Sequence, residues 1–180
     1  EAERTIFENT SGADCTVCTF GGLMEYDKKR GFLQIESDSN FNLVISNSNI
    51  EHSTDVIVSN VRQFKEKNEE EFSNLCQKES ELIKRVSTML KNNDLEGLGK
   101  CMHDNQEFLE TIGVSNEKLR EMIKIAEDTS FGAKITGAGG GGCIIALTDE
   151  SNLEKTILKL GERNYNCFSV KIDFKGLNTF

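Results

Sequence analysis

Proline and tryptophan are absent from the 180-residue sequence, and basic residues are fewer than acidic ones. Without proline, helix ends depend on side-chain caps and on glycine. The 21 basic and 30 acidic residues give a formal charge of −9. This charge argues against binding to nucleic acid or to anionic membranes, because neutralising phosphate groups needs clustered Lys and Arg. No apolar run approaches ~18 residues, so the sequence predicts no membrane-spanning helix.

An initiator methionine and a targeting segment are also absent, since the chain opens with Glu1, Ala2, Glu3 and Arg4. We therefore expect a cytoplasmic protein and interpret the chain as the C-terminal part of a longer one. The remaining composition, 37% hydrophobic and 28% charged, is typical of a globular protein and not of a disordered one.

Six cysteines are present, and without a secretory signal we expect them to be reduced thiols. Cys15 and Cys18 have the CxxC spacing of some zinc and redox sites. A structural zinc site needs a second pair of ligands, and His52 and His103 are far apart in the sequence. We interpret the pair as two small helix residues, and a zinc or redox module remains the alternative.

The N-terminal part of the sequence predicts a short helix followed by a β-hairpin. The helix covers residues 11–19, with Thr10 or Ser11 as its cap, and Gly21 stops it. Apolar runs on both sides of residues 27–31 predict the hairpin.

The middle of the sequence predicts a strand and then a helical region. Residues 41–46 are rich in β-branched side chains and predict the strand. Residues 53–113 carry helical periodicity with a break at 92–94, and Ser115 is the expected cap of the next helix. The charged stretch 65–71 is either a solvated helix face or a helix junction.

The last fifty residues alternate between strands and one helix. Residues 131–136 and 143–148 predict strands, and a final strand covers Cys167 and residues 169–174. Residues 151–154 form a capping box that opens a helix. The inward-facing residues of this helix are predicted to be Leu153, Ile157, Leu158 and Leu160. This order of elements predicts an α+β fold compatible with a split βαβ sandwich.

The most informative feature is the run from Gly137 to Gly142, in which five of the six residues are glycine. It lies between two apolar strands, whereas a flexible linker has polar flanks. Glycine tolerates positive φ and lets other groups approach the backbone closely, which suits tight turns and phosphate cradles. The run is not a Walker loop, since no Gly-Lys-Ser/Thr follows, nor a Rossmann fingerprint, since a strand follows. By itself it predicts an anion-binding or tightly packed loop.

Asp14, in the first turn of the predicted N-terminal helix, is the second candidate. A carboxylate at this position lies close to backbone N–H groups, although an ordinary helix-start aspartate is the alternative. Glu3 lies eleven residues upstream, where a strand leading into the turn could bring it near Asp14. Two converging carboxylates could hold Mg²⁺, which prefers oxygen ligands.

Two segments resemble motifs of the GHMP small-molecule kinases. Residues 134–143, Lys-Ile-Thr-Gly-Ala-Gly-Gly-Gly-Gly-Cys, resemble the third conserved motif of that family, in the form found in its mevalonate kinase branch. Residues 9–14, Asn-Thr-Ser-Gly-Ala-Asp, continue to Thr-Phe-Gly-Gly at 19–22 and resemble the segment that carries the family's catalytic aspartate.

Three further segments strengthen the resemblance. The Glu-Arg pair at 3–4 falls where the family has such a pair, with the Glu as a Mg²⁺ ligand. Ser-Thr at 53–54, followed by Val-Arg at 61–62, is similar to the segment in which the family places a Thr near the active site. Gly-Val-Ser at 113–115 also matches. The similarity runs from residue 3 to about residue 147 with order and spacing kept.

The resemblance implies both a fold and an activity. Residues 1–36 would end the GHMP N-terminal lobe, and residues 37–180 would form a ferredoxin-like C-terminal domain with added helices. The implied reaction is ATP-dependent phosphorylation of mevalonate to 5-phosphomevalonate in isoprenoid and sterol synthesis. Asp14 would accept the hydroxyl proton, and Glu3 would bind Mg²⁺. The implied nucleotide-binding residues are Thr54, Gly137, Ala138, Gly139, Gly140, Gly141 and Gly142.

The sequence also departs from the family's pattern. The family usually has Pro where Thr10 stands and often has Asn where Cys15 stands. Its phosphate loop and its lysine that assists the catalytic aspartate have no counterpart here. The implied partners are mevalonate, ATP, the missing N-terminal lobe and a second copy of the chain. The alternatives are another GHMP member, such as a sugar kinase or a diphosphomevalonate decarboxylase, or a non-catalytic stand-alone module.

Overall fold

The computed structural model of the protein describes residues 11–37 and 40–177. The helices are α1 (Ala13–Phe20), α2 (Thr54–Lys67), α3 (Glu69–Asn92), α4 (Leu95–Thr111), α5 (Glu117–Glu127) and α6 (Glu150–Gly161). The strands are β1 (Leu23–Asp27), β2 (Gly31–Ile35), β3 (Asn42–Asn47), β4 (Gly132–Ile135), β5 (Cys143–Thr148) and β6 (Cys167–Val170). Within these ranges, every helix is too short or too polar to cross a bilayer.

Four of the strands form an antiparallel sheet in the order β4-β5-β3-β6. β3 and β4 run in the same direction with β5 inserted between them, which is the split βαβ arrangement. Helices α2 to α5 all lie between β3 and β4 in the sequence. The predicted α+β class, a ferredoxin-like sheet with added helices, is therefore confirmed.

The two faces of the sheet are covered by different elements. Helices α5 and α6 cover one face, where Leu119, Met122 and Leu160 are fully buried. Helices α3 and α4 cover the other face, where Leu90 packs with Leu147. Burying one such side chain contributes roughly 1.5–3 kcal/mol relative to leaving it exposed. Both ends of the glycine loop therefore belong to strands that are packed on two sides.

The hairpin of β1 and β2 is the predicted one, and Asp27 organises its turn. The Asp27 Oδ1 accepts hydrogen bonds from the backbone N–H groups of Lys29 at 2.9 Å and Arg30 at 2.8 Å. Both bonds lower the pKa of the Asp27 carboxyl, and the bond from the Arg30 N–H has the larger effect. Gly31 follows with a φ of 87°, where the turn requires the left-handed region. The predicted domain boundary between residues 36 and 37 falls just after this hairpin and stays a prediction.

Three helix caps differ from the sequence-based expectation. Gly12, and not Ser11, is the N-cap of α1, and it makes no side-chain cap bond; Thr10 lies outside the described residues. Asn116, and not Ser115, caps α5, because its Oδ1 accepts from the Leu119 N–H at 2.9 Å while its amide also binds the glycine loop. Asp149, and not Ser151, caps α6 and accepts from the Asn152 N–H at 2.9 Å. An aspartate two residues earlier takes the cap, so the hydroxyl of Ser151 donates to it instead.

Three other expectations need correction or completion. The helical region breaks at Asn68 as well as at 92–94, so the charged stretch is a junction between α2 and α3. Leu158 does not face inward but is 65% exposed, because the buried stripe of α6 passes through Leu160. Strand β6 ends at Val170, which pairs with Leu43 of β3, so the predicted continuation of the strand to residue 174 is wrong.

Candidate active site

Asp14 is the second residue of α1 and is exposed. Gly12 precedes the helix with a φ of 84°, and the Ser11 Oγ accepts from the Ala13 N–H at 3.2 Å. The hydroxyl of Tyr26, on β1, donates to the Ser11 carbonyl oxygen at 2.6 Å. The hairpin therefore fixes the start of the helix that presents Asp14 to solvent.

The glycine loop, defined as residues 137–142, turns through backbone conformations that favour glycine. The φ angles are 78° at Gly137, 83° at Gly139, 75° at Gly140 and 69° at Gly142. All four lie in the left-handed region, which costs an ordinary L-residue roughly 1–2 kcal/mol. The glycine content of this loop is therefore a requirement of its backbone path.

Close backbone contacts hold the second half of the loop. The Gly140 N–H donates to the Val114 carbonyl at 2.7 Å, and the Gly142 N–H donates to the Ile50 carbonyl at 3.3 Å. A side chain at Gly139 would collide with the same Val114 carbonyl oxygen. The loop is therefore packed against the segment before α5 and the segment after β3.

The first part of the loop has room for a ligand. A Cβ atom on Gly137 would meet no heavy atom within 4 Å, and Gly137 is exposed. Within the described part of the chain, the N–H groups of Gly137 and Ala138 have no protein acceptor. Unpaired N–H groups on successive loop residues can bind an anion such as phosphate. This part of the loop can therefore accept the anionic ligand that the sequence predicts.

The beginning of α2 packs against the loop. A Cβ atom on Gly140 would lie 3.0 Å from the Ile57 Cγ1, and one on Gly142 would lie 3.0 Å from the His52 Cε1. Thr54 is the first residue of α2 and lies between these two contacts in the sequence. Thr54 is exposed.

The strand leading into the loop carries a partly buried lysine. The Nζ of Lys134 donates to the Ile135 carbonyl oxygen at 2.6 Å. Burial lowers the pKa of the Lys134 ammonium, and the charge of Glu79 opposes this shift. The Ile135 N–H donates to the Oε1 of Gln106, which is buried on α4, at 3.0 Å.

The CxxC pair lies on α1, where Cys15 and Cys18 are both on exposed residues. Within residues 11–37 and 40–177, no group of three or more His, Cys, Asp or Glu side chains could hold a metal ion. Burial raises the pKa of the thiols of Cys101 and Cys167, which keeps them protonated and unreactive at neutral pH.

The structure unites some of the predicted site residues and leaves others undecided. It brings the Thr54 segment against the glycine loop, and it attaches the helix of Asp14 to the hairpin. Glu3 and Thr10 lie outside the described residues, so the role of Glu3 as a Mg²⁺ ligand stays a prediction. The roles of Asp14, Thr54 and residues 137–142 toward ATP also stay predictions.

Residues 80–166 match the family model described as GHMP kinases C terminal, a range that includes the glycine loop and the helices around it. This chain carries a GHMP kinase C-terminal domain. The family resemblance identified from the motifs is thus confirmed.

Several curated relatives and solved structures that this chain resembles are mevalonate kinases. Mevalonate kinase from Thermococcus gammatolerans is 32% identical over 155 residues, covering 81% of this chain and 45% of the relative. Mevalonate kinase from Arabidopsis thaliana is 24% identical over 184 residues, covering 98% and 48%. The crystal structure of L. major mevalonate kinase in complex with R-mevalonate superposes with a TM-score of 0.86 at 25% identity, covering 94% of this chain and 56% of that one. The chain spans just under half the length of these curated relatives.

The sequence did not predict several residues that support the glycine loop. Gln106, Asn116 and His52 contact the loop or its strand, yet none was singled out. Gln106 could have been noticed, because it follows Leu98 and Met102 at intervals of four on the buried stripe of α4. His52 contacts Gly142, about 90 residues away along the chain, and no local sequence pattern predicts such a contact.

Proposed function

We propose that this chain is the C-terminal part of an enzyme that transfers the γ-phosphate of ATP to the primary hydroxyl of mevalonate. The product would be 5-phosphomevalonate, an intermediate of isoprenoid and sterol synthesis. The observation that carries the proposal is the extent of the match: the alignment with the Arabidopsis mevalonate kinase spans 98% of the chain, a span that includes both Asp14 and the glycine loop.

In the proposed reaction, Asp14 accepts the proton of the acceptor hydroxyl as its oxygen attacks the γ-phosphorus, and ADP leaves. Phosphoryl transfer depends on alignment and on neutralisation of charge more than on covalent help from the protein. The exposure of Asp14 leaves its carboxylate accessible to an acceptor. The N–H groups of Gly137 and Ala138 and the hydroxyl of Thr54 would contact the phosphates.

The described residues fit a nucleotide better than they define a metal site. Gly137 offers open space and Ala138 an unpaired N–H, which suits a phosphate oxygen. Glu3, with the phosphates of ATP, would hold Mg²⁺, which neutralises phosphate charge when bound. Asp14 remains the proton acceptor in this assignment.

The proposal includes the partners and the compartment expected from the sequence. An N-terminal lobe would supply the phosphate loop and the lysine that assists Asp14, a second copy would form a dimer, and the enzyme would act in the cytoplasm. The net charge of −9 supports a protein that avoids nucleic acid and anionic membranes.

The first test compares mevalonate phosphorylation by this chain with that by a version extended upstream in its own gene. We expect turnover only in the extended protein, because the missing lobe carries the phosphate loop. A panel of acceptors, including galactose, homoserine and phosphomevalonate, checks the substrate. Phosphorylation of another acceptor in preference to mevalonate would contradict the proposed substrate and leave the kinase family intact.

The second test replaces Asp14 by Asn in the extended protein. We expect kcat to fall by about 10²–10⁴-fold, the usual contribution of a general base, with little change in unfolding temperature. Glu96→Gln is the matched control, since Glu96 is also an exposed carboxylate in the first turn of a helix. Near-normal turnover in Asp14→Asn would remove Asp14 from the mechanism.

A further inference from the structure

The strand that enters the glycine loop lies at the edge of the sheet. β4 is the terminal strand in the order β4-β5-β3-β6. The Thr136 N–H donates to the Cys143 carbonyl of β5 at 3.1 Å, so the neighbouring residue, Ile135, directs its N–H and C=O away from β5. Buried backbone groups at such an edge need other partners.

Side chains supply both partners at Ile135. The Gln106 Oε1 accepts from the Ile135 N–H at 3.0 Å, and the Lys134 Nζ donates to the Ile135 carbonyl at 2.6 Å. Ile135 is 1% exposed and Gln106 is 4% exposed, so water cannot replace these bonds. The backbone two residues before the loop is thus held by a helix side chain and not by a neighbouring strand.

Helix α4 is close enough to β4 for Gln106 to reach it. A Cβ atom on Gly132 would lie 2.7 Å from the Gly99 Cα, so two glycines allow helix and strand backbones to touch. The Gln106 amide is itself fixed, since its Nε2 donates to the Glu110 Oε1 at 3.1 Å. Its Oε1 is therefore directed at Ile135 by a bond made within the helix.

A second amide holds the far part of the loop. The Asn116 Nδ2 donates to the Gly140 carbonyl at 3.0 Å, while its Oδ1 caps α5. The strand that enters the loop is thus bonded to α4 through Gln106, and the loop itself is bonded to Asn116, the N-cap of α5. Between these two attachments lie Gly137 and Ala138, which have room for a ligand.

We propose that Gln106 is a positioning residue, which holds the entry of the glycine loop in the conformation that binds the phosphates of ATP. This inference rests on the proposed function for the identity of the ligand. Without an acceptor for its N–H, Ile135 would shift to find water, and the displacement would pass directly to Thr136 and Gly137. ATP binding would weaken, whereas mevalonate, for which the proposed function invokes no contact with the loop, would be little affected.

The test compares Gln106→Met, which keeps the side-chain length and removes the acceptor, with Gln77→Met. Gln77 is exposed on α3 and provides the same chemical change away from the loop. A rescue variant combines Gln106→Glu with Glu110→Gln, which exchanges the two functional groups and keeps an acceptor facing Ile135. Amide hydrogen exchange at Ile135 and the KM values for ATP and mevalonate are measured in the protein extended upstream.

We expect Gln106→Met to accelerate exchange at Ile135 by about tenfold or more and to raise KM for ATP by about tenfold, the consequence of one buried donor left without a partner. KM for mevalonate should change less than about twofold. Gln77→Met should change nothing, and the exchanged pair should restore both values. Unchanged exchange at Ile135, or faster exchange with an unchanged KM for ATP, overturns the positioning role while leaving the proposed function standing.

The proposed function can fail separately. The extended protein could bind ATP without phosphorylating mevalonate, in which case the proposed substrate is wrong. Gln106 keeps its role in that case if Gln106→Met weakens ATP binding by about tenfold and the exchanged pair restores it. If ATP binding in this case is equal in Gln106→Met and Gln77→Met, the positioning role is overturned as well.

Discussion

Two alanine substitutions in the glycine loop separate backbone conformation from close packing. Gly137 has a φ of 78° and Gly139 a φ of 83°, so both positions impose a left-handed residue. A Cβ atom on Gly137 would meet nothing within 4 Å, whereas one on Gly139 would collide with the Val114 carbonyl oxygen and lie 2.9 Å from the Val114 Cβ. Both variants therefore place an L-residue in the left-handed region, but only Gly139→Ala also creates a collision with the backbone.

The magnitudes follow from these contacts. Gly137→Ala should lower the free energy of unfolding by about 1–2 kcal/mol, the cost of an L-residue in the left-handed region. Gly139→Ala adds a collision with backbone that cannot rotate away, which costs about 1–3 kcal/mol more. For a chain of this size, that difference corresponds to an unfolding temperature lower by roughly 2–12 °C.

Urea unfolding of the 180-residue chain, followed by circular dichroism, measures both free energies. Equal losses in Gly137→Ala and Gly139→Ala would refute the reasoning, because they would mean that the loop is not packed against Val114. A larger loss in Gly137→Ala would refute it more strongly. In the extended protein, ATP binding should respond in the opposite order to stability if Gly137 borders the phosphates, since the added methyl group would occupy the open space.

Two further predictions concern the helices around the GHMP sheet. Leu160→Ala should lower the free energy of unfolding by about 2–5 kcal/mol because Leu160 is fully buried. Leu158 is two residues away and 65% exposed, so Leu158→Ala should lower it by less than about 0.5 kcal/mol. Equal losses in urea unfolding would contradict the orientation of α6. The hydrogen bond from His103 to Glu127, at 3.0 Å, raises the pKa of His103 above 6.5. The resulting stabilisation is complete below the unfolded pKa and is lost as pH rises through the raised folded value, so His103→Ala should destabilise the chain more near about pH 5 than near about pH 9. NMR titration of His103 with a pKa at or below 6.5 would disprove this.

Much of the fold could be predicted because it depends on local patterns. The β-branched strand at β3, the hairpin around Asp27 and the break at residues 92–94 each follow from a few neighbouring residues, and the structure has all three. The caps at Ser115 and Ser151 were wrong because two strong capping residues stood side by side or two apart. Asn116 also bonds to the distant Gly140, which no local pattern predicts, whereas the bonds of Asp149 are to its neighbours Ser151 and Asn152.

The supports of the candidate site were less accessible from the sequence. A glycine-rich run indicates that the backbone turns sharply, but it does not indicate which residues the backbone packs against. The partners of the loop come from Ile50, Val114 and the start of α2, segments between about 20 and 90 residues away along the chain. The spacing of α4 indicates that Gln106 is buried, but it does not indicate that its partner is the edge of β4.

Asp14 and the glycine loop are attached to different parts of the molecule. The helix of Asp14 ends at Gly21, where the C-terminal segment crosses it: the Gly22 N–H donates to the Asp173 carbonyl at 2.7 Å. The Leu177 N–H likewise donates to the Thr19 carbonyl at 3.0 Å, so the end of α1 is tied to the last described residues of the chain.

The loop, in contrast, is held by α2, α4 and α5 through the contacts described above. If Asp14 is the proton acceptor and the loop binds the phosphates, as proposed, the distance between them depends on these two separate attachments, and phosphoryl transfer depends on that distance. Damage to the C-terminal anchor should therefore reduce kcat through Asp14 and leave ATP binding intact, whereas damage at Gln106 should act on ATP binding first. A side chain at Gly21, 2.8 Å from the Asp173 oxygen, is the corresponding perturbation of the first anchor. If Gly21→Ala and Gln106→Met instead gave the same split between kcat and KM, the two anchors would not be independent.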